Sequence, residues 1–299
     1  PARRVSYGQL VGGRQLRVRI EGTPPLKRPE DYSLVGAPVP RADLASRVDG
    51  THVYIQHLRL PGMLHGRVVR PRGQGQHGAG ARVLAVDESS IAHLPGVRVL
   101  RQADFIGVVA PVEWHAVRAA SELRVQWEQP PPLPGTDGLY AALRASATID
   151  NVVSERGDPA VAAASAAARV QFTGCGPYQA HAPFAPNCAL ADIRAGEGLV
   201  ICSSQDIYAC RRSVAALLGM PQEKLRVQFA EGSGTYGHSC YDDAAQAAAL
   251  MSRLAGAPVR VQFMRHDEHG WDTCGPPHVG EARIAADADG NIVAYEYEG

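Results

Sequence analysis

Gln205, Gly234, Thr235, Tyr236, Gly237 and His238 are the residues of this chain best suited, by type and spacing, to hold a ligand. A glutamine amide offers a donor pair and an acceptor, and Gln205 follows the apolar run Leu199-Val200-Ile201-Cys202, where a strand opens into a loop. A second apolar run, Leu225–Phe229, opens into a glycine-rich segment ending at His238. Gly232, Gly234 and Gly237 free that backbone to adopt positive φ and to turn N–H groups toward a bound group. Asp242 and Asp243 stand where an N-cap belongs, ahead of the Ala-rich helix Asp243–Ala255. Strand, glycine loop and helix start together form a cradle for an anion or a cofactor.

Gly232-x-Gly234-x-x-Gly237 also matches the dinucleotide-binding fingerprint. A following strand, Pro258–Phe263, with Asp267 and Glu268 beyond it completes the outline of a nicotinamide-binding βαβ unit. Against this, Tyr236 and His238 crowd the phosphate position and Asp242–Asp243 would repel a pyrophosphate. The acidic pair also comes about ten residues later than the fingerprint prefers. A purely structural glycine turn is the plainer reading. Each candidate has such a counterpart: Gln205 satisfying loop backbone, Tyr236 as a half-buried aromatic with its hydroxyl bonded, and His181 as a hydrogen-bonded interior histidine rather than a proton carrier.

The elements that must position these residues alternate between strands and helices, which predicts a mixed α/β (α+β) architecture. Asp206–Leu218 is the clearest helix: Asp206 can cap it, Ile207, Cys210, Val214, Leu217 and Leu218 share one face, and Gly219 then Pro221 stop it. Upstream, Val53-Tyr54-Ile55, Met63–Val69 and Ala81–Val86 read as strands, and Val97–Val109 as a strand pair broken near Asp104. Pro111 falls at the first position of a helix over Val112–Leu123, and Leu123–Trp127 returns as a strand. Arg72–Gly80 is flexible by composition. Gln129–Gly135, with four prolines, reads as an interdomain linker. Leu139–Ala147 and Asp158–Ala168 are expected to be helical, and Ile292–Gly299 to be the second strand of a hairpin turned at Asp289-Gly290.

With 299 residues, 45% of them hydrophobic, the chain can bury two cores. Lys+Arg and Asp+Glu number 30 each, so no basic field points to nucleic acid or an anionic membrane. No apolar run approaches the roughly 18 residues that span a bilayer. Pro1-Ala2-Arg3-Arg4 contains no initiator Met and leads into no apolar stretch, so no signal peptide is visible; the compartment, cytoplasmic or periplasmic, stays open. Both ends read as cut, and the chain is expected to be a piece of a longer subunit. None of its six cysteines (Cys175, Cys188, Cys202, Cys210, Cys240, Cys274) forms a C-x-x-C pair, which speaks against zinc-ribbon, thioredoxin-like and iron–sulfur readings. His266, His269, Cys274 and His278 have no common metal-site spacing, so no metal ligand is expected.

Many short segments in one order carry a resemblance. Pro177-Tyr178-Gln179-Ala180-His181, Pro186-Asn187-Cys188-Ala189-Leu190-Ala191-Asp192 and Gly234-Thr235-Tyr236-Gly237-His238 resemble the molybdenum-cofactor-binding large subunit of the xanthine dehydrogenase and aldehyde oxidase family. The branch of isoquinoline 1-oxidoreductase and nicotinate dehydrogenase is the most similar. Val35-Gly36, Val39-Pro40-Arg41, Leu60-Pro61-Gly62-Met63-Leu64, Leu94-Pro95-Gly96-Val97 and Gly107-Val108-Val109-Ala110 resemble its hammerhead α/β domain, and Met264-Arg265-x-Asp267-Glu268 fits downstream. The resemblance implies a tail over 1–32, a hammerhead domain over 33–128, a proline-rich linker and helix over 129–150, and over 151–299 the first part of a molybdopterin-binding domain.

It further implies that Gln205 contacts the molybdenum's oxo group and that Tyr236 and Gly237 approach the metal centre, with Gly234, Thr235 and His238 beside them. Molybdenum itself would be held by its pterin, in the cytosine dinucleotide form, and the general base is expected beyond residue 299, so no catalytic residue is assigned in this chain. The implied activity is hydroxylation of an N-heterocycle or an aldehyde with water as oxygen source, electrons leaving to an iron–sulfur partner subunit. Alone, the chain is expected to be inactive. Ala185 stands where the xanthine dehydrogenases have glutamate, and Ser239-Cys240 where the isoquinoline branch has Asn-Gly, so a xanthine-type substrate does not carry over. A non-catalytic scaffold or split-subunit module, and a nicotinamide-dependent dehydrogenase, are the competing functions.

Overall fold

A computed structural model describes residues 4–12, 19, 21–71, 82–128, 133–194, 196–237, 243–271 and 273–299. His238, Ser239-Cys240, Asp242, most of Gly13–Arg19, all of Arg72–Gly80 and the prolines of Gln129–Pro132 lie outside the described residues. Two compact units form, Pro1–His52 and Val53–Gly299. The first carries two short helices, α1 (Tyr7–Val11) and α2 (Leu44–Val48). A Ser6/Gln9 capping box opens α1 and Gly12, at φ 59°, closes it.

The second unit runs β1 (Leu64–Val69), β2 (Val83–Asp87), β3 (Arg98–Gln102), β4 (Phe105–Ala110), α3 (Glu113–Glu122), β5 (Arg124–Trp127), α4 (Gly135–Ala145), α5 (Pro159–Ala164), β6 (Ala168–Gly176), β7 (Cys188–Arg194), β8 (Glu197–Cys202), α6 (Ile207–Leu218), β9 (Leu225–Phe229), α7 (Asp243–Ala255), β10 (Val259–Gln262), α8 (Arg265–Trp271), β11 (His278–Ala286) and β12 (Ile292–Glu298). Seven strands form one sheet in the order β3-β4-β1-β10-β7-β8-β9, with smaller sheets β12-β11-β6 and β2-β5. In the large sheet β1/β10 and β8/β9 are parallel and the other pairs antiparallel, the mixed α+β architecture expected. Strands from both sides of Gln129–Gly135 lie side by side in it.

Successive strand residues face opposite sides of a sheet, and β1 shows what each side holds. Gly66 points toward α7: a Cβ there would come within 3.0 Å of Met251 Cε and 2.8 Å of Val259. Gly107 on β4 is pressed the same way, 2.8 Å from Met251 Cε. These two glycines are the space into which Met251 packs. The alanines of α7 bring it close to the sheet, and Ala244, Ala245, Ala247, Ala248 and Ala249 are all buried. α6 lies alongside α7, its Cys210 Sγ 3.8 Å from Cys202 Sγ of β8. Of the stripe expected on α6, Cys210, Val214 and Leu218 are buried but Leu217 is exposed.

The opposite face is polar at its centre. Arg67 and Arg260, 3% and 1% exposed, are neighbours across the parallel β1/β10 pair. Glu113, at the start of α3, joins them: Arg67 Nη2 lies 2.9 Å from its Oε1 and Arg260 Nη2 2.7 Å from its Oε2. Burial works to raise the Glu113 carboxyl, but the hydrogen bond from Arg67 and the charge of Arg260 outweigh it and hold the group below the ordinary range. Burial lowers the neighbouring His65 imidazole, Glu113 opposing, and pushes the Cys188 thiol up to about 12. Beside this cluster Val69, Ile106, Val108, Ala119 and Leu123 form a second apolar core under β2 and β5.

Three local expectations change. Val53-Tyr54-Ile55 is not a strand but leads into a 3-10 turn over Ile55–His57; Ile55 is fully buried, and its N–H donates to Glu231 O at 2.8 Å, a loop carbonyl rather than a strand partner. Pro111 precedes the cap residue Val112, so it lies outside α3. The helix expected over Asp158–Ala168 stops at Ala164, because Ala168–Gly176 pairs along its length with β11 as β6. Breaking a buried ion pair from one side strands the remaining charge at about 3–5 kcal/mol, and about 2–3 kcal/mol is appropriate for a partly exposed carboxylate. Glu113→Ala is therefore expected to lower the urea-unfolding free energy by about that much, against at most about 1 kcal/mol for Glu122→Ala on the same helix, whose partners Arg118 and His93 keep 40% and 53% of their side chains exposed.

Candidate cofactor-binding site

Because β8 and β9 are parallel and in register, Cys202 opposite Phe229, both strands leave the sheet at the same end. Ligands of open α/β sheets gather beyond the carboxyl ends of such strands. After β8 the chain makes the short loop 203–206: Ser204 Oγ accepts from Asp206 N–H at 3.0 Å, and Asp206 caps α6 by accepting from Tyr208 and Ala209 N–H at 3.1 and 2.9 Å. That fixed turn leaves Gln205 on the surface. After β9, Ala230 N–H donates to Cys202 O at 2.9 Å, carrying the glycine segment over the same edge.

The two loops meet. Thr235 Oγ1 donates to Gln205 Oε1 at 3.0 Å, so two residues singled out from the sequence touch. With Oε1 engaged, the Gln205 NH2 is the end left to a ligand. Gly234 and Gly237 do adopt positive φ, 103° and 102°, but Gly232 does not; its smallness serves close approach instead, since a Cβ there would lie 3.2 Å from Ser203. Tyr236 sits at φ 51°, a left-handed conformation unusual for a bulky residue, with its ring over Gly234 and most of its surface exposed. An added Cβ on Gly237 would lie 3.3 Å from the His181 ring, so His181 too belongs to this wall. His238 falls outside the described residues.

The segment bearing His181 is held by α8. Arg265 donates to Pro183 O at 2.6 Å and Phe184 O at 3.2 Å, and Glu268, 1% exposed, accepts from Asn187 N–H at 2.6 Å and from Arg265 at 2.9 Å. Asp267 Oδ2 accepts from Met264 N–H at 2.8 Å. These acids are buried structural groups, not a ribose clamp. The strands that would flank a nicotinamide crossover are separated as well, with β8 and β7 lying between β9 and β10. A dinucleotide fold sets successive parallel strands side by side, so the nicotinamide reading of Gly232-x-Gly234-x-x-Gly237 is withdrawn. Among the described residues His266, His269, Cys274 and His278 do not converge as a ligand set. The positioning role of Arg265 and Glu268 was missed; its signal was the Arg-x-x-Glu spacing on one helix face directly after a buried strand.

Burial raises the Glu268 carboxyl, with the Asn187 N–H and Arg265 opposing, and raises that of Asp243, with Arg70 opposing.

Comparison with known proteins bears on the same residues. A family model described as the molybdopterin cofactor-binding domain matches residues 145–299. A nicotinate dehydrogenase subunit of Pseudomonas putida is 40% identical over 98% of this chain, which covers 25% of that protein. The crystal structure of quinoline 2-oxidoreductase from Pseudomonas putida 86 superposes with a TM-score of 0.70 at 23% identity, covering 87% of this chain and 38% of that one. Aldehyde oxidoreductase from Desulfovibrio gigas does so with 0.73 at 20% identity, covering 86% and 33%. At those identities the structures establish the fold. The chain spans about a quarter of the length of its nicotinate dehydrogenase relative.

Gly237→Ala is expected to destabilise by about 1–3 kcal/mol, as for a side chain forced to positive φ; Gly174→Ala, where a Cβ meets nothing within 4 Å, is the urea-denaturation control. A carboxyl raised in the fold binds its proton more tightly there than in the unfolded chain, so its contribution is greatest at low pH and is lost as pH rises. The stability of wild type relative to Glu268→Gln is thus expected to fall as pH climbs from the ordinary value of 4.5 through the raised one. Urea midpoints for the two proteins from the ordinary value of 4.5 upward would show the opposite slope if the Arg265 pairing outweighed burial.

Proposed function

This chain belongs to the molybdopterin cofactor-binding domain family, and on that footing we propose that it forms one wall of the active site of a molybdenum-dependent hydroxylase acting on an N-heterocyclic acid or an aldehyde. The observation that carries the reading is the meeting of Gln205 and Thr235 beyond the parallel ends of β8 and β9, with the glycine turn beside them. The donor chemistry present suits an oxygen-bearing group: Gln205 is exposed, and with its amide oxygen engaged by Thr235 its NH2 is the end left to donate.

Gln205 and the backbone of Gly234–Gly237 would hold the molybdenum end of the cofactor, Tyr236 and His181 lining the approach, with His238 as a further contact. When bound, the cofactor supplies the two-electron redox chemistry. The substrate's C–H becomes C–OH with oxygen from water, and two electrons and two protons leave. This chain's own part is to orient and to donate hydrogen bonds: an amide fixed by Thr235 has little reorganisation left to make when charge develops nearby. The electrons are proposed to pass to an iron–sulfur subunit, since no cysteine spacing here suits a cluster. The cytosine dinucleotide form of the cofactor is part of the same proposal.

Nicotinate, the substrate in the relative's name, is the first compound to test. The full-length protein with its partner subunit is expected to contain molybdenum and pterin in equal amounts. Gln205→Ala is expected to keep the metal while lowering kcat/KM by about 10²–10³, the usual effect of deleting one preorganised donor. A full-length protein isolated with neither molybdenum nor pterin, or a Gln205→Ala variant of unchanged kcat/KM, would overturn the reading.

A further inference from the structure

The turn Ile55–His57 bonds to two walls of the candidate cofactor site at once. Ile55 N–H donates to Glu231 O at 2.8 Å, at the start of the glycine segment. One residue on, Gln56 Nε2 donates to Pro186 O at 3.4 Å, in the segment that carries His181. A turn that holds both segments through adjacent residues fixes the separation of their backbones. The same two segments meet again at Gly237 and His181, where an added Cβ would lie 3.3 Å from the ring. Contact at one end and a set spacing at the other leave little room for either segment to shift alone.

The turn has anchors of its own. His57 N–H donates to Tyr54 O at 2.9 Å and Leu58 N–H to Ile55 O at 3.1 Å, closing the 3-10 geometry. The Ile55 side chain is fully buried, and the turn packs against β7. Gln56 O accepts from Arg59 Nη1 at 2.8 Å and from Arg260 Nη1 at 2.5 Å. Arg260, 1% exposed, is itself held through Nη2 by Glu113 at 2.7 Å. Hydrogen bonds from charged donors are shorter and stronger than neutral ones. The two walls are therefore tied through this turn to the buried Glu113–Arg260 pair rather than to another loop.

We propose that the Ile55–His57 turn is a clasp that sets the spacing of the cofactor site's walls, with the Ile55 N–H and the Gln56 amide as its positioning groups. The proposal rests on the cofactor reading for its function, not for its geometry. Each group acts through a neighbouring backbone, that of Glu231 or of Pro186. Misplacing an orienting group by about 1 Å can cost about a hundredfold in rate, so a slackened clasp is expected to be felt in kcat.

The test is hydrogen–deuterium exchange on the full-length protein with its partner subunit, read beside kcat, KM and molybdenum content. Ile55 is the first residue of its turn and Tyr54 before it is extended, at φ −86° and ψ 164°, a setting that accepts proline. Ile55→Pro deletes the N–H and is expected to speed exchange over 230–237 at least tenfold, with α6 within twofold of wild type. Ile55→Ala keeps the N–H but loses packing; it is expected to lower the melting temperature and leave 230–237 within twofold. Gln56→Met, similar in length but without the donor, is expected to speed exchange over 181–187 at least threefold. The Ile55→Pro enzyme is expected to keep its molybdenum and lose at least tenfold in kcat, with KM within threefold. Ile91→Ala, in the second apolar core, is expected to lower the melting temperature alone. Unchanged exchange over 230–237 in Ile55→Pro, equal loosening by Ile55→Ala, or an unchanged kcat in molybdenum-loaded Ile55→Pro would each overturn the proposal. Wild type without molybdenum but with the exchange differences intact would overturn the cofactor reading instead.

Discussion

Two arginines buried in one face of a sheet need a counter-charge, and Glu113 is where the second unit of this fold meets that need. Its two oxygens are divided between Arg67 on β1 and Arg260 on β10, while Arg260 also donates to Gln56 O at 2.5 Å. One carboxylate thereby fixes α3, the parallel β1/β10 pair and the turn at Ile55–His57 relative to one another. Charged hydrogen bonds of this kind are directional where apolar packing is not. Neither strand can slide past the other without leaving a buried guanidinium unmatched, which is far costlier than a shifted methyl group.

The other face depends on volume rather than charge. Met251 of α7 fills the space above Gly66 and Gly107, and any larger residue at either strand position would collide with it. The chain therefore uses a flexible side chain against two bare backbones, which lets an alanine-rich helix lie close to a seven-stranded sheet. Ser252, fully buried on the same helix, is satisfied by accepting from Ile193 N–H at 2.9 Å and donating to Ala257 O at 2.8 Å. With both faces fixed, the parallel pair β8/β9 is presented at the sheet edge and its loops open in one direction.

The candidate cofactor site is assembled from three such loops, each tied back by a different device. The Gln205 loop is held by the helix cap of Asp206, the glycine loop by its hydrogen bond to Gln205, and the His181 segment by Arg265 and Glu268 from α8. Their backbones are strained or exposed just where they approach one another, at Tyr236 and Gly237. Strain concentrated at one turn, with rigid supports behind it, is what preorganisation would require.

Much of this was legible in the sequence. The strands at 64–69, 197–202, 225–229 and 259–262, the α6 helix with its Asp206 cap and Gly219 stop, and the hairpin at Asp289-Gly290 all follow from local pattern and turn chemistry, because caps, glycines and apolar periodicity act over a few residues. That the loop bearing Gln205 and the glycine segment with Thr235 each follow a strand end was likewise legible, and the fold brings those two loops together. What local pattern does not contain is which strand lies beside which. The fingerprint Gly232-x-Gly234-x-x-Gly237 reads the same whether β9 and β10 are neighbours or have two strands between them, and only the tertiary fold separates them. The buried roles of Arg67, Arg260 and Glu268 were hidden for the same reason: a charged residue in a strand or helix reads as solvent-facing until its partner, distant in sequence, is brought against it. Glu113 comes 46 positions after Arg67, a separation that packing, not sequence pattern, closes.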